Sequence, residues 1–125
     1  LTGADGTEAN LSEANLHLAN LREAKLVGAN LEGSRLREAN MILADLVGAN
    51  LASADLAQAN LKQAKVRGAN VEKASMIGAN LEEADLQSLQ NMTIIQLSKA
   101  RSLLNARLDP NLYEQLAKDY SHLFG

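Results

Sequence analysis

Two histidines, fifteen carboxylates and no cysteine are the reactive side chains of this 125-residue chain. His17 and His122 lie near opposite ends, and neither has a second His or a carboxylate cluster at metal-ligand spacing. Asp45, Asp55 and Asp85 are interleaved with Lys or Asn, which does not suggest a general acid–base pair. Ser12, Ser53, Ser75 and Ser88 have no neighbouring His to take a proton, as a serine nucleophile requires. The Gly-X-X-Ala-Asn stretches lack the Lys and Ser/Thr of a phosphate loop. No catalytic, cofactor-binding or metal-ligating residue is assigned, and an enzyme is not expected.

Two other patterns could serve binding. Every tenth residue from Asn10 to Asn80 is Asn. Asn10, Asn30, Asn50 and Asn70 make one series, and Asn20, Asn40, Asn60 and Asn80 the other. Stacked amides bond local backbone or one another, and the same strip could hold a polar partner. The second pattern is aliphatic: Val27, Ile42, Leu43 and Val47 occupy slots that are mostly polar elsewhere. Scattered exposed aliphatics are common, whereas a cluster marks a protein contact. These four form the candidate contact patch.

The elements that carry these residues follow from a five-residue period. Leu16, Leu21, Leu26, Leu31, Leu46, Leu51, Leu56 and Leu61 share one slot with Met41, Val66, Val71 and Met76. Ala stands three places after each, from Ala4 to Ala84, except at Ser34. On a helix, at about 100° per residue, such leucines would drift around every face. On a flat strand an odd period sends successive leucines to opposite faces. An extended piece followed by a corner in every unit keeps both inward. With the central Leu as position i, i and i−2 point in, while i−1, i+1 and i+2 point out.

Asp5, Lys25, Asp45, Lys65 and Asp85 alternate in sign every 20 residues, and Gly28, Gly48 and Gly68 share another such column. Four corners per coil follow, and the eighteen units before about residue 90 stack into a rod on the order of 22 Å long. Gly at i+2 suits a corner that needs positive φ. Opposite charges on successive levels of one column are expected to attract and help set register. Gly6 sits at a central site, so the first coil is expected to pack poorly.

Ala9-Asn10-Leu11-Ser12-Glu13, Ala44-Asp45-Leu46-Val47-Gly48, Ala54-Asp55-Leu56-Ala57-Gln58 and Ala84-Asp85-Leu86-Gln87-Ser88 match the A(D/N)LXX motif. On these residues the chain resembles the pentapeptide-repeat family. The resemblance implies an all-β solenoid, a right-handed quadrilateral β-helix of about 20 residues per coil. Lys25, Arg35, Lys65 and Ser75 depart from the motif at i−1.

Residues 1–90 are expected to form the β-helix and residues 91–125 a short two-helix C-terminal cap. Thr93-Ile94-Ile95-Gln96 reads as a capping box, and Asp109-Pro110 as N-cap and first turn of a second helix. Leu112, Leu116 and Tyr120 recur at helical spacing and would cover Met76, Leu81 and Leu86. The alternative is a dimerisation or partner helix. Similar tails close many bacterial proteins of the family. Leu1 is in phase with the repeat and no cap precedes it, so continuation of the rod or end-to-end self-association is expected there.

The functional expectation is a non-enzymatic structural or protein-interaction module with an unidentified protein partner. The alternative, implied by the resemblance, is a mimic of duplex DNA that acts on gyrase. Duplex DNA carries one charge per ~1.7 Å, so a 22 Å rod would need roughly thirteen net charges. Residues 1–90 carry twelve acidic and eight basic side chains, a balance of −4. No nucleic-acid partner is expected. No apolar run approaches the ~20 residues that span a bilayer. A cytoplasmic setting is favoured slightly over an exported or lumenal one, which stays open.

Overall fold

Every i−1 residue from Asp5 to Asn70 forms a parallel one-residue bridge with the residue twenty places on, in a computed structural model describing residues 1–125. The chain is thus a four-cornered coil whose levels stack in register. Its strands are single bridges separated by turns, so no strand is long enough to be named as one.

The unit around Leu51 shows why five residues suffice. Its i−1 amide, Asn50 N, donates back to the Ala29 carbonyl at 2.9 Å. Leu51 N and Ser53 N donate forward to Asn70 O and Glu72 O, both at 2.7 Å, and Ala54 N closes the corner on Leu51 O at 3.0 Å. The fifth amide, Ala52 N, donates to the Asn50 side-chain oxygen at 3.0 Å. All five donors have acceptors, which a buried wall requires.

The i+2 residue has positive φ at every corner, as a type II turn demands of its third residue. Six of these eighteen residues are Gly, and twelve are others, including Glu38 (φ 58°), Leu43 (φ 61°) and Ser53 (φ 58°). Each non-Gly corner costs ~1–2 kcal/mol. Four backbone bonds per unit, each worth ~0.5–1.5 kcal/mol net, outweigh that cost. Glycine is thus favoured at i+2 without being obligatory.

The interior is one cluster of stacked Leu and Ala, with Leu31, Leu36, Met41 and Leu46 fully enclosed. Leu21, Leu26, Leu51, Leu56 and Leu61 are also buried. Leu16, expected in the core, is only half-buried, as is Leu11. Both belong to the first level, which has a neighbour on one side only. A Cβ on Gly6 would lie 2.9 Å from Leu26 Cδ2, so the Leu26 side chain leans into the space that Gly6 leaves.

The ladder does not stop at residue 90. After α1 (Ile94–Ser98), residues 99–107 resume it: Ser102 bridges Asn80 and Arg107 bridges Asp85. The offset there is twenty-two residues instead of twenty, because the helical turn takes up two more. Leu103 and Ala100 are buried as in any earlier unit, and Asn105 repeats the positive φ of the corner (59°).

The capping box on α1 is present: Gln96 N donates to Thr93 Oγ1, and Thr93 N to Gln96 Oε1, both at 3.1 Å. The Gln96 side chain also donates from Nε2 to Val71 O (2.6 Å) and Ala74 O (2.7 Å). It thereby serves the Ala74 carbonyl, whose strand partner α1 has displaced, and adds a second donor to Val71 O, which also accepts from Ala74 N at 3.0 Å. Asp109 precedes α2 (Pro110–Asp119), with Pro110 in its first turn, but its carboxylate does not cap that helix. It accepts instead from Ser88 N at 3.1 Å, in the place a further coil would take. Leu112 and Leu116 of α2, with Leu123 beyond it, belong to the same buried cluster as Leu81 and Leu86; Tyr120 is half-buried against it.

Leu46→Ala should lower unfolding free energy by ~2–5 kcal/mol, against ~0.5 kcal/mol or less for exposed Gln58→Ala. Equal losses in urea melts would contradict the inward assignment. Gln96→Ala should cost ~1–3 kcal/mol by leaving the Ala74 carbonyl unserved; an unchanged urea midpoint would show that this carbonyl does not depend on it.

Candidate functional site

The side chains with reactive chemistry are held apart by the coil. His17 Nδ1 donates to the Arg37 carbonyl at 3.0 Å on an exposed face, while His122 is exposed in the 3-10 turn Ser121–Phe124. No three His, Asp or Glu side chains converge at metal-binding distance. Asp45, Asp55 and Asp85 each accept from a backbone amide two residues on, at 3.2, 3.0 and 3.1 Å. They are turn acceptors, set one per level or face.

The Asn residues have the same task. The side-chain oxygens of Asn10, Asn20, Asn30, Asn40, Asn50, Asn60, Asn70 and Asn80 each accept from the i+1 amide of their unit, at 3.0–3.2 Å. Asn and Asp favour this local turn because their short side chains reach the second amide on. The freed amide groups link levels at a few places, one of them between Asn50 Nδ2 and Glu32 Oε2 at 3.4 Å. Asn70 Nδ2 lies 3.5 Å from Asn50 Oδ1, and Asn91 Nδ2 donates to Asn70 Oδ1 at 3.0 Å.

The alternating charge column behaves differently from the sequence expectation. Asp5, Lys25, Asp45, Lys65 and Asp85 do stack, and Arg107 extends them, but no two of them approach within 4.0 Å. Asp5, Asp45 and Asp85 each accept from their own turn through one oxygen, and the other is not placed within reach of a neighbouring lysine. The ion pairs lie elsewhere, at Arg22–Glu23 (3.5 Å) and Arg37–Asp55 (3.8 Å), both on exposed side chains. The hydroxyl and amide of Thr7, with Lys25 a smaller influence, hold the Asp5 carboxyl below the ordinary 3.8.

The aliphatic patch falls on two adjoining faces. Val47 lies one level from Val27, since Gly28 N donates to Val47 O, and Ile42 and Leu43 occupy the corner before it. Val27, Ile42 and Val47 are half-buried, and Leu43 is 42% exposed. Sequence reasoning passed over several side chains that are more open, among them Ile77 (58%) and Ile95 (65%). Ile77 occupies an i+1 slot above Ala57 and Arg37, so it has no aliphatic neighbour in its column to draw attention. Ile95 lies on α1, and only the fold brings it near. Together with Met76, Thr93 and Gln96 they line a groove of about 340 Å³ flanked by Lys73 and Lys99.

Ser34 is the other residue that the sequence marked without explaining. It takes an Ala slot, is fully buried, and its hydroxyl has no hydrogen-bond partner.

A solenoid with four corners per level, an Ala/Leu interior and Asx-closed turns defines the class, and comparison with known proteins gives the family. The family model for pentapeptide repeats matches residues 1–22, 14–52 and 54–88, in eight copies. The chain belongs to the pentapeptide repeat family. A pentapeptide repeat protein from the Arabidopsis thaliana thylakoid lumen is similar in structure, with a TM-score of 0.72 and 26% identity over 93% of this chain and 76% of that one. A pentapeptide repeat protein from Nostoc Pcc 7120 is 30% identical over 80% of this chain and 84% of its own, with a TM-score of 0.58. Rfr23 from the cyanobacterium Cyanothece 51142 is 27% identical over 88% and 87%, with a TM-score of 0.54. Among curated proteins, none matches the chain. No helix is long and apolar enough to cross a membrane.

Ser34→Ala removes a buried hydroxyl that bonds nothing, and should raise stability by about 1 kcal/mol or more. A lower urea midpoint for the variant would show that the hydroxyl is engaged.

Proposed function

We infer that this chain is a non-enzymatic protein-interaction module, with residues 1–90 supplying the body of a right-handed β-helix and residues 91–125 its C-terminal closure. Burial of Leu97, Leu103, Leu112, Leu116 and Leu123 in the common core supports the closing role. A freely exposed dimerisation helix would keep its apolar stripe in water, whereas both Leu112 and Leu116 are covered within the single chain.

The observation that carries the interaction reading is the aliphatic corner of Val27, Ile42, Leu43 and Val47. Side chains at i+1 and i+2 point outward and fill no internal space, although i+2 must adopt positive φ and the Val27 amide, behind Lys25, has no Asx acceptor. Four aliphatics gathered there serve no internal packing need and suit a small protein contact. Arg22 and Lys62 stand above and below Ile42 in its column, and Arg67 beyond Val47, so the corner has a polar, cationic rim of the kind interfaces carry.

The DNA-mimic reading has less support. Its acidic residues alternate with Lys and Arg along the one column that holds most charge. A partner protein is therefore the expected ligand, with end-to-end contact of the first coil a second route to assembly.

The test is capture of partners by the intact protein and by Ile42→Lys and Val47→Lys variants, with circular dichroism and urea melts as folding controls. Loss of capture by well-folded variants is the expected result. Capture that both variants retain in full would remove this corner from the interface.

A further inference from the structure

At one place between stacked levels, amides that elsewhere donate along the axis have no acceptor. Where α1 replaces a coil strand, Ser75 is the i−1 residue with no bridge to a following level. The amides of Lys73 and Met76 hold the positions that elsewhere donate forward to the next coil, as Ser53 N and Leu56 N do. Neither has a hydrogen-bond acceptor here, although Met76 as a whole is only 3% exposed. The amide of Ile77 is also unserved, because Ser75 does not supply the side-chain oxygen that Asn or Asp gives in other units.

The carbonyls at this gap are satisfied and the donors are not. Gln96 turns its Nε2 to Val71 O and Ala74 O, and its Oε1 is spent on Thr93 N. What remains is three backbone N–H groups, on Lys73, Met76 and Ile77, and the side chains of Lys73 and Lys99, neither of which is in an ion pair. All lie along one groove of about 340 Å³, whose walls are Met76, Ile77 and Ile95. The groove has room for one or two residues of a peptide. A cluster of donors beside lysines selects a carboxylate, and the adjoining aliphatic walls select an apolar side chain next to it.

We propose that this gap in the ladder is a docking site for the free C-terminus of a partner polypeptide ending in a branched aliphatic residue. The terminal carboxylate takes the amides of Lys73, Met76 and Ile77, with Lys73 and Lys99 at the rim, and the last side chain lies between Ile77 and Ile95. The proposal rests on the reading of this chain as an interaction module, and it names a second surface, apart from the corner at Ile42 and Val47.

Acetyl-Val-Leu with a free carboxylate is the probe, titrated into the 15N-labelled full chain. Saturable amide shifts at Lys73, Met76 and Ile77 are expected, with none from the same peptide amidated. The double variant Lys73→Ala, Lys99→Ala should weaken binding about five- to tenfold, the size expected of two partly exposed charge contacts. Ile77→Asp should abolish it while leaving the urea midpoint in place. Three results would each overturn the proposal: no shifts at millimolar peptide, equal shifts from the amidated peptide, or equal shifts from sodium acetate at the same concentration. None of these bears on partner capture through Ile42 and Val47, so the two readings fail separately.

Discussion

Each five-residue unit must find acceptors for five backbone N–H groups, and the rest of the structure depends on how it does so. Three of them point along the axis to neighbouring levels and one closes the corner. The i+1 amide is left over, and only a short side-chain acceptor at i−1 reaches it. That is the physical meaning of Asn or Asp before the central Leu. It also explains why this position tolerates exceptions. At Lys25, Arg35 and Lys65 the leftover amide belongs to Val27, Arg37 or Arg67 on an outer face, where water can serve it, and the unit keeps its other four bonds.

The same division separates what the fold demands from what is free to differ. Inside, Leu and Ala alternate, with Met41, Val66, Val71 and Met76 as aliphatic replacements in the Leu slot, because stacked levels at ~4.8 Å admit only apolar side chains of limited volume. Ser34 fits only because it has nearly the volume of Ala, and it pays for that with an idle hydroxyl. Outside, i+1 and i+2 carry Thr, Arg, Ile, Lys and Glu down a single column, as at Thr2, Arg22, Ile42, Lys62 and Glu82. Any particular role of this chain has to be written in those slots, or at the places where the unit itself fails.

Much of this was legible in the residues. The sign alternation at Asp5, Lys25 and Asp45 revealed the twenty-residue coil, although the charges turned out to stack without pairing. The capping box at Thr93 was visible for the same reason that it forms: both partners are local. Resumption of the ladder at residues 99–107 was not visible, because two extra residues in α1 shift Leu103 and Leu108 out of the five-residue frame. The donors left open at Lys73 and Met76 were also hidden. Nothing in Val71-Glu72-Lys73-Ala74-Ser75-Met76 differs in kind from earlier units; what changes is a segment twenty residues later, which forms a helix where a strand would have supplied acceptors. The Asp109 carboxylate is a similar case, an apparent helix cap drawn away by an unserved amide at Ser88.

The charge arrangement limits how such a surface can be recognised. Opposite charges on successive levels lie well within the Debye length of ~8 Å at physiological salt, so their fields largely cancel a short distance from the wall. With a net charge of only −3 for the whole chain, long-range steering of a charged partner is weak. Selectivity must then come from features that act at contact: aliphatic side chains raised from an otherwise polar face, and hydrogen-bond donors that the ladder leaves open. A rigid coil presents such features without having to order them on binding, so less of the contact energy is lost to conformational entropy. The regular units make the platform stiff, and the few irregular ones are where that stiffness can be used to discriminate.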